Sequence, residues 1–273
     1  MAGLMLTLAS SALAQTDLSG SWAARNFKTG LNPVSVDYTG HPLNDDGRTW
    51  SLTYSAAQLS MMERQCHGWP PFYLAIGPFG LKIWSEQELV RGTTISWTIG
   101  AWEDRAPTVI WMDGRPHPSK NALHERGGFT TGRWEGSTLV ATTTHMKSGL
   151  LRRNGIPNSD QATMVTRFSR HGDLLVVAEV IDDPVYLAEP IVATKSFQLD
   201  ANPTSPVGPP CTPAYEGDSG EGKVPHFLPE QNPFIDELSN EFHVPREATL
   251  GYVETLYPDY RKKIKDKYVR PGK

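Results

Sequence analysis

Residues 129–145 read FTTGRWEGSTLVATTTH. Two runs rich in β-branched and aromatic side chains flank Glu135-Gly136, a dipeptide that supplies the positive φ of a tight turn, so this stretch reads as a β-hairpin. The same grammar continues on both sides. Downstream, residues 162–170 and 174–181 pair around His171-Gly172-Asp173, and residues 185–199 supply the closing strand or strands. Upstream, residues 72–86 (FYLAIGPFGLKIWSE) read as two strand pieces divided by Gly77-Pro78-Phe79-Gly80. Residues 95–102 place Ile95, Trp97, Ile99 and Ala101 on one face by period-two alternation, and residues 108–112 extend the sheet. Gly20-Ser21-Trp22 starts the first strand. A long meander leaves exposed edges unless it closes, so the expectation is a mainly β protein built as an antiparallel up-and-down barrel of about eight to ten strands.

Around that barrel the reading is helical or irregular. Ser55-Ala56-Ala57-Gln58 is a capping box for a short helix ending near Arg64, while residues 26–46 read as a long loop. Residues 203–222 form a Pro/Gly-rich strap. Beyond it, Asn232-Pro233, Pro245 and Pro258 mark C-terminal helices that pack outside the barrel or plug one mouth. The domain plan is therefore an export-signal remnant (1–14), a barrel (15–202), and a strap with helical extension (203–273).

Residues 1–15, MAGLMLTLASSALAQ, combine an apolar run with Ala12-Leu13-Ala14, the small-x-small pattern of a signal-peptidase site. A periplasmic or secreted location follows. The run is too short to span a bilayer, so no transmembrane segment is expected. In an oxidising compartment the only two cysteines, Cys66 and Cys211, are expected to pair, stabilising the fold by about 4 to 5 kcal/mol through loop entropy. A net charge of -4 and a pI near 6.1 carry no nucleic-acid footprint.

Gly20-x-Trp22 is similar to the first-strand signature of lipocalin and wider calycin barrels. Residues 77–84 (GPFGLKIW), 111–118 (WMDGRPHP), 132–140 (GRWEGSTLV) and 182–186 (DDPVY) resemble a group of exported, lipocalin-like bacterial proteins. The resemblance covers nearly the whole mature chain and implies a barrel with an apolar cavity. It brings no catalytic residues.

The residues themselves suggest where chemistry would sit. Asp113-Gly114-Arg115-Pro116-His117-Pro118 is a stiff polar loop: Arg115 can neutralise an anionic oxygen, His117 can move a proton near neutral pH, and Asp113 or Asp182 can orient the base. His145 shares by alternation the face of Leu139, Ala141 and Thr143, which would make it a buried base if that face points inward. Glu179 alternates with Leu175, Val177 and Ile181, a setting that raises a carboxyl pKa. Tyr186 could add a phenolic hydroxyl, and Lys147, Arg152 and Arg153 could gather an anion.

Trp84, Trp111 and Phe79 belong to an aromatic set that favours a hydrophobic, aromatic guest. His117, His124 and His145 lack metal-site spacing, and no phosphate or dinucleotide loop is present, so neither metal nor cofactor is expected. The leading expectation is cofactor-independent acid/base catalysis, a lyase or isomerase, on a small aromatic molecule. The alternative is a non-catalytic periplasmic carrier, and a homodimer is compatible with either.

Overall fold

A computed structural model describes residues 15–25, 38–54, 66–101, 107–152, 154–201, 212–213, 227–228, 231–232, 234–265 and 267. The barrel strands are β1 (Gly20–Ala24), β2 (Leu81–Gln87), β3 (Thr94–Ala101), β4 (Thr108–Trp111), β5 (Phe129–Glu135) and β6 (Thr138–Thr144). A small hairpin, β7 (Gly149–Leu150) with β8 (Pro157–Asn158), interrupts the series before β9 (Thr163–His171), β10 (Leu174–Asp182) and β11 (Ile191–Leu199). The sheet closes in the order β1-β11-β10-β9-β6-β5-β4-β3-β2.

Nine strands cannot alternate direction all the way round a closed ring, so one neighbouring pair has to be parallel. That pair is β4 with β5, through Ile110↔Thr130 and Trp111↔Thr131. The expected all-antiparallel up-and-down barrel is corrected accordingly to a closed mixed one. The price of the parallel pair is a crossover: residues 112–128 return along the outside of the wall so that β5 can start at the end where β4 started. At the seam the strands approach closely, and a Cβ on Gly132 would meet Ile110 Cγ2 at 2.6 Å and Met112 Sδ at 2.7 Å.

Both ends of the lumen are stoppered. At one end Trp22, 2% exposed, packs with Leu18, donates from Nε1 to the Leu18 carbonyl at 3.1 Å, and lies under the Arg170 guanidinium at 5.2 Å. Gly20 is required there: its φ is +142° and a Cβ would meet Leu199 Cδ1 at 2.7 Å.

At the other end sits helix α2 (Tyr73–Ile76), in the middle of residues read as strand. Pro70 and Pro71 pre-set the helical turn, and their carbonyls accept from the Tyr73 and Leu74 amides at 2.9 Å each. Leu74 enters the barrel core, whereas Tyr73, Ala75 and Ile76 join a second apolar cluster below it. Tertiary packing thus overrides the strand pattern of FYLAI.

Helix α1 (Asp45–Leu52) starts at the last two residues of the expected 26–46 loop. Asn44 caps it by accepting from the Gly47 amide at 2.9 Å, and Asp45 and Asp46 fill its first turn. The expected 55–64 helix lies outside the described residues. The C-terminal segment comprises α3 (Glu237–Phe242), α4 (Arg246–Thr249), a 3-10 turn (Tyr252–Leu256) and α5 (Pro258–Lys265). It docks by stacking Tyr252 on Tyr38 at 5.2 Å between ring centroids and pairing Glu254 with Arg48 at 2.7 Å.

Cys66 is not a free thiol; its expected partner Cys211 lies outside the described residues. Among the described residues no helix is long and apolar enough to cross a membrane.

Candidate functional site

Among the described residues the lumen holds two buried ionisable side chains, Glu179 and Lys195, 0% and 2% exposed. They project inward from adjacent strands, two register positions apart and so on the same face, because Glu179 pairs with Ala193 and Val177 with Lys195. Their work is on the plug. The Ala75 amide donates to Glu179 Oε2 at 3.2 Å, and Lys195 Nζ donates to the carbonyls of Gly77 and Phe79 at 2.6 and 2.8 Å. A carboxylate on the amide side of α2 and an ammonium at its carbonyl end match the polarity of the helix.

What space remains inside is small. Between Leu74, Ile110, Thr130, Thr143, Phe168 and Glu179 there is about 20 Å³ for the centre of a water-sized molecule, enough for a single water. Trp84 and Trp111, expected as ligand contacts, are on outward-facing positions of β2 and β4. Trp84 covers Gly100, where a Cβ would meet its ring at 2.8 Å. Phe79 serves through its backbone carbonyl, and Arg153 lies outside the described residues.

The two histidines expected to move a proton, His117 and His145, meet on the outer wall. His117 and His145 share the Thr144 hydroxyl, each by Nδ1 at 2.7 Å. His117 Nε2 is 2.8 Å from Thr131 Oγ1, and His145 Nε2 is 2.9 Å from the Ser119 carbonyl. A carbonyl only accepts, so His145 Nε2 carries the proton and, with both rings neutral, the rest of the chain is ordered. Thr144 donates to His145 Nδ1, His117 Nδ1 donates to Thr144, and Thr131 donates to His117 Nε2.

All four ring nitrogens are therefore engaged, in a latch that ties the crossover to β5 and β6. Burial, and then the charge of His145, holds the His117 pKa below its ordinary value. His145 leaves the inward face on which alternation put Leu139, Ala141 and Thr143. Its φ of +57° breaks β6 after Thr144 and turns the ring outward, 5.0 Å from His124 between centroids.

Arg115 and Asp113 close on each other. Arg115 Nη2 donates to Asp113 Oδ2 at 2.5 Å, and the guanidinium lies 3.6 Å above the Trp111 ring. The hydrogen bond from Arg115 holds the Asp113 carboxyl below its usual range. Asp182 is exposed, away from the latch at the end of β10. Its neighbour Asp183 is fully buried and accepts from the Ser159 amide and hydroxyl at 2.6 and 2.7 Å. Among the described residues no group of three or more His, Cys, Asp or Glu side chains is placed to hold a metal ion.

The open spaces lie outside the lumen, at the plugged end. The larger, about 510 Å³, runs between the plug, the start of β11 and residues 39–42. Phe72, Ile76, Leu151, Ile191, Val253 and Leu256 make it mostly aliphatic, with His41, Arg152 and Glu189 as its polar groups. Arg152 Nη1 meets His41 Nε2 at 2.5 Å. A second cleft, about 290 Å³, lies beside the β7–β8 hairpin and includes Tyr186. Burial and then Asp183, Asp46 and Asp160 push the Tyr186 phenol up.

Of the larger cleft the sequence reading named Arg152 as an anion contact, and of the smaller Tyr186, and it missed the other walls of both. Their walls come from loops far apart in the chain, and the one local signal was the Asn44-Asp45-Asp46 helix start that presents Trp50. The chain matches no protein-family model, no curated protein and no solved structure.

Proposed function

We propose that this chain is an exported, non-catalytic carrier that binds an apolar, chiefly aliphatic small molecule with an acidic head. The site is the larger cleft outside the plugged barrel. The observation that carries this reading is the cleft itself: about 510 Å³ falls within the range of small-molecule sites. Val192 and Leu256 stand at its lip 60% and 56% exposed, apolar surface that a bound chain would cover. The Arg152 guanidinium gives a carboxylate a charged partner at one end, and a single aromatic ring, Phe72, favours a flexible aliphatic guest over a planar one.

Acid/base catalysis fits less well. Its two histidines have no free ring nitrogen, and they stand on the outer wall rather than in a ligand-sized cavity.

Calorimetric titration with dodecanoate tests the reading. Val192→Asp and Leu256→Asp change exposed side chains and should leave the fold intact, yet each should weaken binding by about tenfold or more. Full-strength binding by both variants would overturn the assignment.

A further inference from the structure

The smaller cleft has a different chemistry. Trp50, Tyr54 and Tyr186 supply ring surfaces, while Arg126 and Asn158 supply polar groups. Asn158 is 1% exposed. Its Nδ2 donates to the carbonyls of Lys147 and Ser159 at 3.0 and 3.1 Å. Those two bonds fix the amide's orientation, since reversing it would set an oxygen against two carbonyls.

Asn158 Oδ1 is then a buried acceptor with no hydrogen-bond partner among the described residues, a vacancy that costs free energy until a donor fills it. Arg126 is half-buried, and burial pulls its pKa down, with no acidic group among the described residues compensating its charge. Lys147 lies with Arg126 and Asn158 around an adjoining space. The charges of Arg126 and Lys147 also reach His67, whose pKa is lowered first by burial and then by these two cations. Behind Tyr186, outside the lining of the cleft, Asp183, Asp46 and Asp160 lie close enough to raise the phenol's pKa. The one charged side chain among the described residues of the lining is Arg126.

We propose that this cleft is a second binding site, specific for a small aromatic carboxylate that carries a hydroxyl or amino group. The carboxylate pairs with Arg126, the ligand's O–H or N–H donates to Asn158 Oδ1, and the ring lies among Trp50, Tyr54 and Tyr186. Each group answers an unmet need of the protein: a counter-charge, a donor and an apolar plane. The site does not rest on the carrier reading, because its walls share no residue with the larger cleft.

Titration calorimetry with 3-hydroxybenzoate, benzoate and benzamide on the full chain reads these terms separately. 3-Hydroxybenzoate, whose hydroxyl cannot reach its own carboxylate, should bind about tenfold more tightly than benzoate, the worth of one hydrogen bond to a buried acceptor. Benzamide, which has the ring and no charge, should not bind at millimolar concentration. Arg126→Gln should lower 3-hydroxybenzoate affinity at least about tenfold and leave dodecanoate binding unchanged, and Arg126→Lys should recover part of the loss.

Absence of 3-hydroxybenzoate binding overturns the proposal, as does equal binding of benzamide or undiminished binding by Arg126→Gln. Loss of dodecanoate binding alone, with the 3-hydroxybenzoate pattern intact, would instead remove the carrier reading and keep this site.

Discussion

The lumen and the surface at its plugged end invert the usual division of labour in a barrel. Inside, every resource is spent on closure: Trp22 and Leu18 fill one end, α2 the other, and the buried Glu179 and Lys195 hold α2 by its amide and carbonyl groups. Outside, the β7–β8 hairpin, the start of β11 and the loops beside them leave two clefts with ligand-sized volumes. Charge buried in a β-barrel is thus no guide to its binding site, because a closed barrel needs polar anchors wherever a non-strand element is inserted into it.

The sharpest way to break this contrast is to remove an anchor. Lys195→Ala leaves the Gly77 and Phe79 carbonyls without their ammonium and an acidic side chain buried beside the vacancy. A loss of about 3 to 5 kcal/mol is expected, read as a lower denaturant midpoint. A change well under 1 kcal/mol would mean that α2 is not held by charge.

Next in size is the parallel seam. Gly132→Val forces atoms into Ile110 and Met112 and should cost about 1 to 3 kcal/mol, whereas Gly136→Val, in the open hairpin turn, meets no neighbour and suffers only its positive φ.

Smaller again is the crossover latch. Thr144→Val removes the hydroxyl shared by His117 and His145 and should cost about 1 kcal/mol. The latch also sets a pH dependence. Because the folded His117 pKa lies below the ordinary 6.5, the unfolded chain binds more protons in the window between the two values. Stability from this group is full above pH 6.5 and falls as pH drops through that window. Thermal melts of His117→Gln should lose that part of the acid sensitivity. An unchanged pH profile in the variant would assign the sensitivity elsewhere.

Least of all should come from Asp113→Asn. Its exposed pair with Arg115 touches neither cleft, so dodecanoate and 3-hydroxybenzoate affinities should be unaltered in titration.

What the sequence made legible follows from locality. The 129–145 hairpin and the β9–β10 pair were readable because turn chemistry and alternation lie within a few residues of each other. Helix α2 was not, since FYLAI has strand composition and is helical only because two prolines precede it and two distant charges anchor it. The parallel β4–β5 pair escaped for the same reason: counting strands round a closed ring is a global property.

Among site residues, His117 and His145 come together at the Thr144 hydroxyl, and alternation could not foresee the left-handed residue that ends β6 and turns His145 outward. Arg126 and Asn158 gave no local signal at all. Their significance is an absent partner, visible only once the chain is folded.

The most direct test of the central claim is heteronuclear NMR of the protein titrated with dodecanoate. The account predicts methyl shift changes at Ile76, Ile191, Val192 and Leu256, in the cleft outside the plug, with Ile99, Ile110 and Val177 of the lumen unmoved. Shifts concentrated on Ile99, Ile110 and Val177 would mean that the plug opens and the barrel itself is the container, contradicting the account.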